Sequence, residues 1–163
     1  TMDDGYTSNY KYAYPILKKL DMCATIFVVT SRMGSSDTVY PHFTWEQAAE
    51  MVKSGVISIE SHTDTDGNMS LLPETEIVEE FRRSKFEIER NLGKECSVLA
   101  FPYGEFLGNA IDLALQAGYK IINKVGDEGT NRKEDGLYPL KRISVGGNMT
   151  PQMLLELIEQ NCK

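Results

Sequence analysis

A parallel sheet covered by helices is the fold class that the sequence predicts, and three observations predict it. Short β-branched or apolar runs alternate with helical patterns along almost the whole chain. Gly or Pro stands at nearly every change of pattern, and neither an internal repeat nor a linker interrupts the order. A closed barrel and an open doubly wound α/β sheet both fit this order. In either one the active groups gather at the carboxyl ends of the strands.

Each element has its own local reason. Ala24 to Val29 is apolar and β-branched throughout, as suits a strand covered on both faces. Thr44 opens a helix, with Gln47 three residues later completing a capping box and Gly55 ending it. Val56 to Ser61 alternates like a second strand. Pro73 starts a long helix whose Ile77, Phe81, Ile88 and Leu92 share one stripe, and Gly93 stops it. Val98 to Phe101 reads as a strand closed by Pro102, Ala110 to Ala117 as a helix ended by Gly118, and Tyr119 to Asn123 as the next strand. Asp127 to Gly136 is polar and Gly-rich, hence a loop. Leu140 to Val145 is a last strand, and Thr150-Pro151 caps and starts the final helix.

Composition narrows the function classes. The 163 residues, 41% of them hydrophobic, fit one globular domain with a core. That is short of the ~200 residues or more of a complete α/β barrel. The formal charge of -7, with basic pairs only at Lys18-Lys19, Arg82-Arg83 and Lys141-Arg142, argues against a nucleic-acid partner. No run of 18 apolar residues occurs, so no membrane span is expected. The three cysteines, Cys23, Cys96 and Cys162, match neither a disulfide framework nor a zinc ribbon. Cys23 and Cys96 precede apolar runs and are expected to be buried thiols.

Unusual polar residues stand at the predicted strand ends. Asp3-Asp4-Gly5 opens the chain, Ser61-His62-Thr63-Asp64-Thr65-Asp66 follows the second predicted strand, and Phe101-Pro102-Tyr103-Gly104 closes the third. A divalent metal such as zinc takes three or four ligands from His, Asp, Glu and Cys. Asp4, His62 and Asp66 could supply that set from two loops on one face. Taken singly each element is ordinary: Asp-Asp-Gly is a turn signal, a histidine after a strand is usually structural, and Asp64 and Asp66 pass as a solvated loop. His42, the other histidine, reads as a packing residue before the Thr44 cap.

Together, and in this order, the motifs resemble a known family. Thr1-Met2-Asp3-Asp4-Gly5-Tyr6 resembles the Thr-Phe-Asp-Asp-Gly motif of the polysaccharide deacetylases, the NodB-homology group of carbohydrate esterases. Glu60-Ser61-His62-Thr63 resembles the family's Ser-His-Thr-x-x-His motif, and Phe101-Pro102-Tyr103-Gly104 its third motif. Tyr14 to Lys19 with Ala24 to Val28, and Trp45 to Gly55, resemble the connecting elements, so the likeness covers nearly the whole chain.

The resemblance implies a distorted parallel (β/α) barrel and a divalent metal, zinc first, acting on an acetylated glycan outside the cytoplasm. It implies Asp3 as general base, Asp4 and His62 as metal ligands, Phe101, Pro102 and Tyr103 as groove residues, and the Tyr103 backbone N–H as an oxyanion donor. Because the family's first strand would precede Thr1, it also implies a domain over residues 1–163 that is N-terminally incomplete.

The departures from the pattern are specific. Asp66 stands where the second histidine of the His motif belongs, making an Asp-His-Asp metal set. The third motif lacks its leading Arg, leaving Arg142 as the candidate to orient Asp3. Ser144-Val145-Gly146-Gly147 lacks the late general-acid histidine. The expected activity is therefore removal of acetyl groups from a glycan by amide, or else ester, hydrolysis. The alternative is a degenerate member that binds glycan without turning it over.

Overall fold

A computed structural model describes residues 1–37, 39–125 and 131–161. Five strands, β1 (Ala24–Val28), β2 (Ile57–Ser61), β3 (Val98–Ala100), β4 (Ile121–Val125) and β5 (Leu140–Arg142), form one all-parallel sheet in chain order. Helices α1 (Tyr14–Lys19), α2 (Trp45–Lys53), α3 (Glu74–Leu92), α4 (Ala110–Gln116) and α5 (Pro151–Asn161) alternate with the strands. This is the α/β barrel-type arrangement expected. The chain start lies beside β1, where Met2 bridges Ile26 in parallel, its N–H on the Thr25 carbonyl at 3.0 Å. In this way the first residues take up the edge of β1 that β2 leaves free.

The local signals work as read. Thr44 Oγ1 accepts from Gln47 N at 3.3 Å while Gln47 Oε1 accepts from Thr44 N at 2.9 Å, so both halves of the capping box form. Gly93 ends α3 in the left-handed region at φ +63°, where a side chain would be strained. Ile77, Phe81 and Ile88 of α3 are buried, with Leu92 packed at the core's margin. Phe81 meets Phe101 and Tyr119 at ring separations of 6.0 and 6.1 Å, and a fully buried ring of this kind contributes roughly 1.5–3 kcal/mol by leaving water.

Some boundaries shift. The fourth strand starts at Ile121 rather than Tyr119, because Tyr119 turns inward to donate its hydroxyl to the Phe81 carbonyl at 3.1 Å. The fifth ends at Arg142 rather than Val145; among the described residues its ladder with β4 runs from Leu140 to Arg142. Of the predicted 127–136 loop, residues 131–136 include a short helical turn at Lys133–Asp135, and the rest lies outside the described residues, as does Cys162. Cys96 is buried as expected. Cys23 is not: it stands exposed in the turn that Asp21 makes at φ +51° before β1, so the apolar run begins one residue after it.

At the rim, Tyr103 and Gly104 both adopt left-handed backbone, at φ +60° and +70°. A Cβ on Gly104 would collide with the Val125 carbonyl oxygen, which is backbone and has nowhere to go. Gly104→Ala is expected to destabilise the fold by roughly 1–3 kcal/mol, with strain and overpacking acting together. Thermal unfolding should then show a midpoint lowered by about 2–4 °C per kcal/mol.

Candidate metal and catalytic site

The carboxyl ends of the strands bring the predicted site residues to one place. Asp4 and Gly5 form consecutive left-handed turns at φ +68° and +80°, and a Cβ at Gly5 would press on Val28, so the tight entry depends on glycine there. His62 leaves β2 with its N–H on the Val28 carbonyl at 2.9 Å, and its ring is almost completely buried. Its Nδ1 lies 2.8 Å from the Ala100 carbonyl, an acceptor that assigns the proton to Nδ1 and leaves Nε2 with a free lone pair. That nitrogen faces Asp4 Oδ1 at 3.8 Å.

Asp66 completes the group. One donor atom each from Asp4, His62 and Asp66 lie within 4.8 Å of one another. An imidazole with a bare nitrogen and two carboxylates is a donor set suited to zinc and to harder divalent cations, and a carbonyl that orients the imidazole is the usual second support. The residues therefore fit the metal that the family pattern implies. Burial pushes the Asp66 carboxyl upward, opposed by the Arg32 guanidinium and reinforced by the Asp4 charge. Tyr6, which hydrogen-bonds Asp4, is pushed up to about 12, first by burial and then by that carboxylate.

Asp3 points elsewhere. Arg142 donates to both of its oxygens, Nη1 to Oδ1 at 2.6 Å and Nη2 to Oδ2 at 2.7 Å, across 139 positions of sequence. The guanidinium lies 5.1 Å over the Phe27 ring, which fixes its plane. Arg142 is therefore engaged with Asp3, as its nomination from the sequence required, rather than idle on the surface. Beside Asp3 and Asp4 opens a cavity of about 430 Å³ lined by both and by Tyr6, Asn9, Arg142 and Ser144 among others.

The third motif divides. Phe101 has no exposed surface, stacks on Phe106 at 4.6 Å and joins the core with Phe81, so its side chain cannot touch a substrate. Pro102 is buried too, whereas Tyr103 is 62% exposed. Of the three, Tyr103 alone presents its side chain to solvent at the rim. An apolar ring following a buried strand continues the core, which is why Phe101 turns inward.

Asp64 is not a solvated loop residue either. It is buried, accepting from Thr30 Oγ1 at 2.6 Å and facing Arg83 Nε at 3.4 Å. His42 is buried as expected of a packing residue, with Nδ1 3.1 Å from Ser35 Oγ and its ring 5.1 Å from Tyr6; burial first, then Arg32, holds its pKa down. Sequence reasoning missed Tyr6 and Arg32. Both were within its reach, because Tyr6 ends the first motif and Arg32 follows β1 at the rim where active groups collect.

An α/β barrel-type fold thus gathers an imidazole, carboxylates and an Arg-clamped aspartate at its strand ends. The family profile described as Polysaccharide deacetylase matches residues 1–122, and the chain belongs to that family. YxkH of Bacillus subtilis (strain 168), assigned by name to the polysaccharide deacetylases, is 33% identical over 150 residues, covering 92% of this chain and 52% of its own length. The poly-beta-1,6-N-acetyl-D-glucosamine N-deacetylase of Staphylococcus aureus (strain MRSA252) is 28% identical over 127 residues, covering 72% of this chain and 44% of its own. The chain thus spans about half the length of the curated relatives it matches. Among solved structures, the Streptococcus pyogenes deacetylase PplD, in complex with acetate, superposes with a TM-score of 0.85 at 28% identity, covering 95% of this chain and 67% of that one. A de-N-acetylase of Aggregatibacter actinomycetemcomitans does so at 0.79 and 25% identity, over 95% of this chain and 72% of its own.

Proposed function

We propose that residues 1–163 form one catalytic domain that hydrolyses acetamide groups on an extracytoplasmic N-acetylated polysaccharide. The observation that carries this reading is the meeting, at one rim, of the Asp4–His62–Asp66 cluster with the Arg142-clamped Asp3. Asp4, His62 and Asp66 would hold a divalent cation, zinc first. A cation bound there supplies Lewis-acid polarisation of a carbonyl and lowers the pKa of a coordinated water.

The chain's own groups do the rest. Asp3 keeps a second lone pair on each oxygen beyond those facing Arg142, and one of these takes the proton of the attacking water. The water oxygen bonds to the acetyl carbon, and the Tyr103 backbone N–H donates to the carbonyl oxygen as it gains charge. The C–N bond then breaks, releasing acetate. With no histidine in Ser144–Gly147, the proton held on Asp3 passes to the departing nitrogen. Among the described residues no helix is long and apolar enough to cross a membrane.

The absent general-acid histidine favours one second reading, a glycan-binding member that does not turn over. Acetate release separates the two. Zinc-loaded protein is expected to liberate acetate from at least one of poly-β-1,6-N-acetylglucosamine, chitin oligomers and peptidoglycan. Glycan binding by zinc-loaded protein without acetate from any of them would replace catalysis with recognition.

A further inference from the structure

The replacement of an expected histidine by Asp66 puts two carboxylates into the cluster, and the structure holds a cation against the second of them. Arg32 Nη1 lies 3.1 Å from Asp66 Oδ2, with Asp66 itself only 14% exposed and Arg32 40%. Arg32 ends the short turn Thr30–Arg32 that leaves β1. That turn is riveted to the loop carrying Asp66: Thr30 N–H donates to the Thr63 carbonyl at 3.3 Å, Ser31 N–H and Oγ donate to the Asp64 carbonyl at 2.9 and 2.6 Å, and Thr30 Oγ1 donates to Asp64 Oδ1. The backbone approach of Arg32 to Asp66 is therefore built in before either side chain chooses a rotamer. Asp66 itself sits at φ +66°, a left-handed residue whose side-chain direction follows from the loop.

We propose that Arg32 is a positioning residue for the metal cluster: it occupies one oxygen of Asp66, turns the other toward Asp4 and His62, and balances the charge that the carboxylate adds. Two carboxylates with one guanidinium carry the same net charge as one carboxylate with two neutral imidazoles. A cluster of Asp4, His62 and Asp66 with Arg32 is in this sense electrically equivalent to an Asp-His-His set. Partners that orient ligating carboxylates typically contribute 10–100-fold to metal affinity. The inference rests on the reading of Asp66 as a ligand.

Zinc titration of the metal-free full chain by calorimetry tests it. Arg32→Met should weaken zinc binding by about 10–100-fold, and Arg32→Lys should recover part of the loss by keeping the charge without the planar fork. In an Asp66→His background the sign should reverse. There Arg32 faces a neutral imidazole and repels the incoming ion, so Arg32→Met should hold or tighten affinity. A purely structural role for Arg32 would give the same loss in both backgrounds, and that result overturns the proposal, as does an Arg32→Met variant with unchanged affinity. His62→Ala keeps the two readings apart. If it abolishes zinc binding while Arg32→Met is silent, only the Arg32 role falls; if zinc affinity survives His62→Ala, the metal cluster and the Arg32 role fall together.

Discussion

Replacing His62 by Ala should remove zinc binding, with affinity falling at least ~100-fold, beyond the range seen for residues that merely support a ligand. His62 supplies the only nitrogen of the cluster, and its loss leaves two carboxylates to share an ion without a neutral donor between them. The side chain is buried with its Nδ1–H on the Ala100 carbonyl, so the change also strands an acceptor near the core. His62→Gln serves as the companion variant, because it keeps an N–H donor toward that carbonyl while withdrawing the imidazole. Both variants should lose zinc by calorimetry and by metal content, while thermal unfolding separates ligand loss from collapse of the fold. Retained affinity in a folded His62→Gln protein would show that the ion, if bound, sits elsewhere.

The second large effect is expected at Asp3. Asp3→Asn should lower the rate of acetate release by about 10²–10⁴-fold, the usual contribution of a positioned general base. An amide has nearly the shape of the carboxylate but cannot take a proton at neutral pH. Zinc content should stay at the wild-type level, because Asp3 is committed to Arg142 rather than to the cluster. Some loss of stability should accompany the change, since Arg142 is only 11% exposed and its fork would meet one amide oxygen and one N–H₂ donor in place of two acceptors. Acetate release per bound zinc, rather than per protein, isolates the chemical step. Equal rates in wild type and variant would assign the base to another group.

The two experiments depend on different kinds of information in the chain. The cluster was legible from spacing: His62 and Asp66 lie on one loop after a recognisable strand, and Asp4 in a turn that only Gly5 could follow. The clamp on Asp3 was legible only as a nomination, because the distance between residues 3 and 142 in space depends on how far the sheet curls. No periodicity reports that curl.

What the sequence by itself determined is everything carried by near neighbours in the chain. The Thr44–Gln47 capping box, the Gly93 stop, the α3 stripe and the apolar strands act over three or four residues, where backbone geometry is the same in any fold. Strand order was not among these: the alternation fits a barrel and a doubly wound sheet alike, and the folded sheet alone places the five strands in chain order. Tertiary structure alone decided which polar group meets which. Phe101 enters the core and leaves Tyr103 outside, Asp64 is buried beneath Thr30, and Arg32 pairs with Asp66. Each of these turns on the path of a loop, and on a competition between burying apolar surface and pairing charge, that is resolved only when distant segments are packed together.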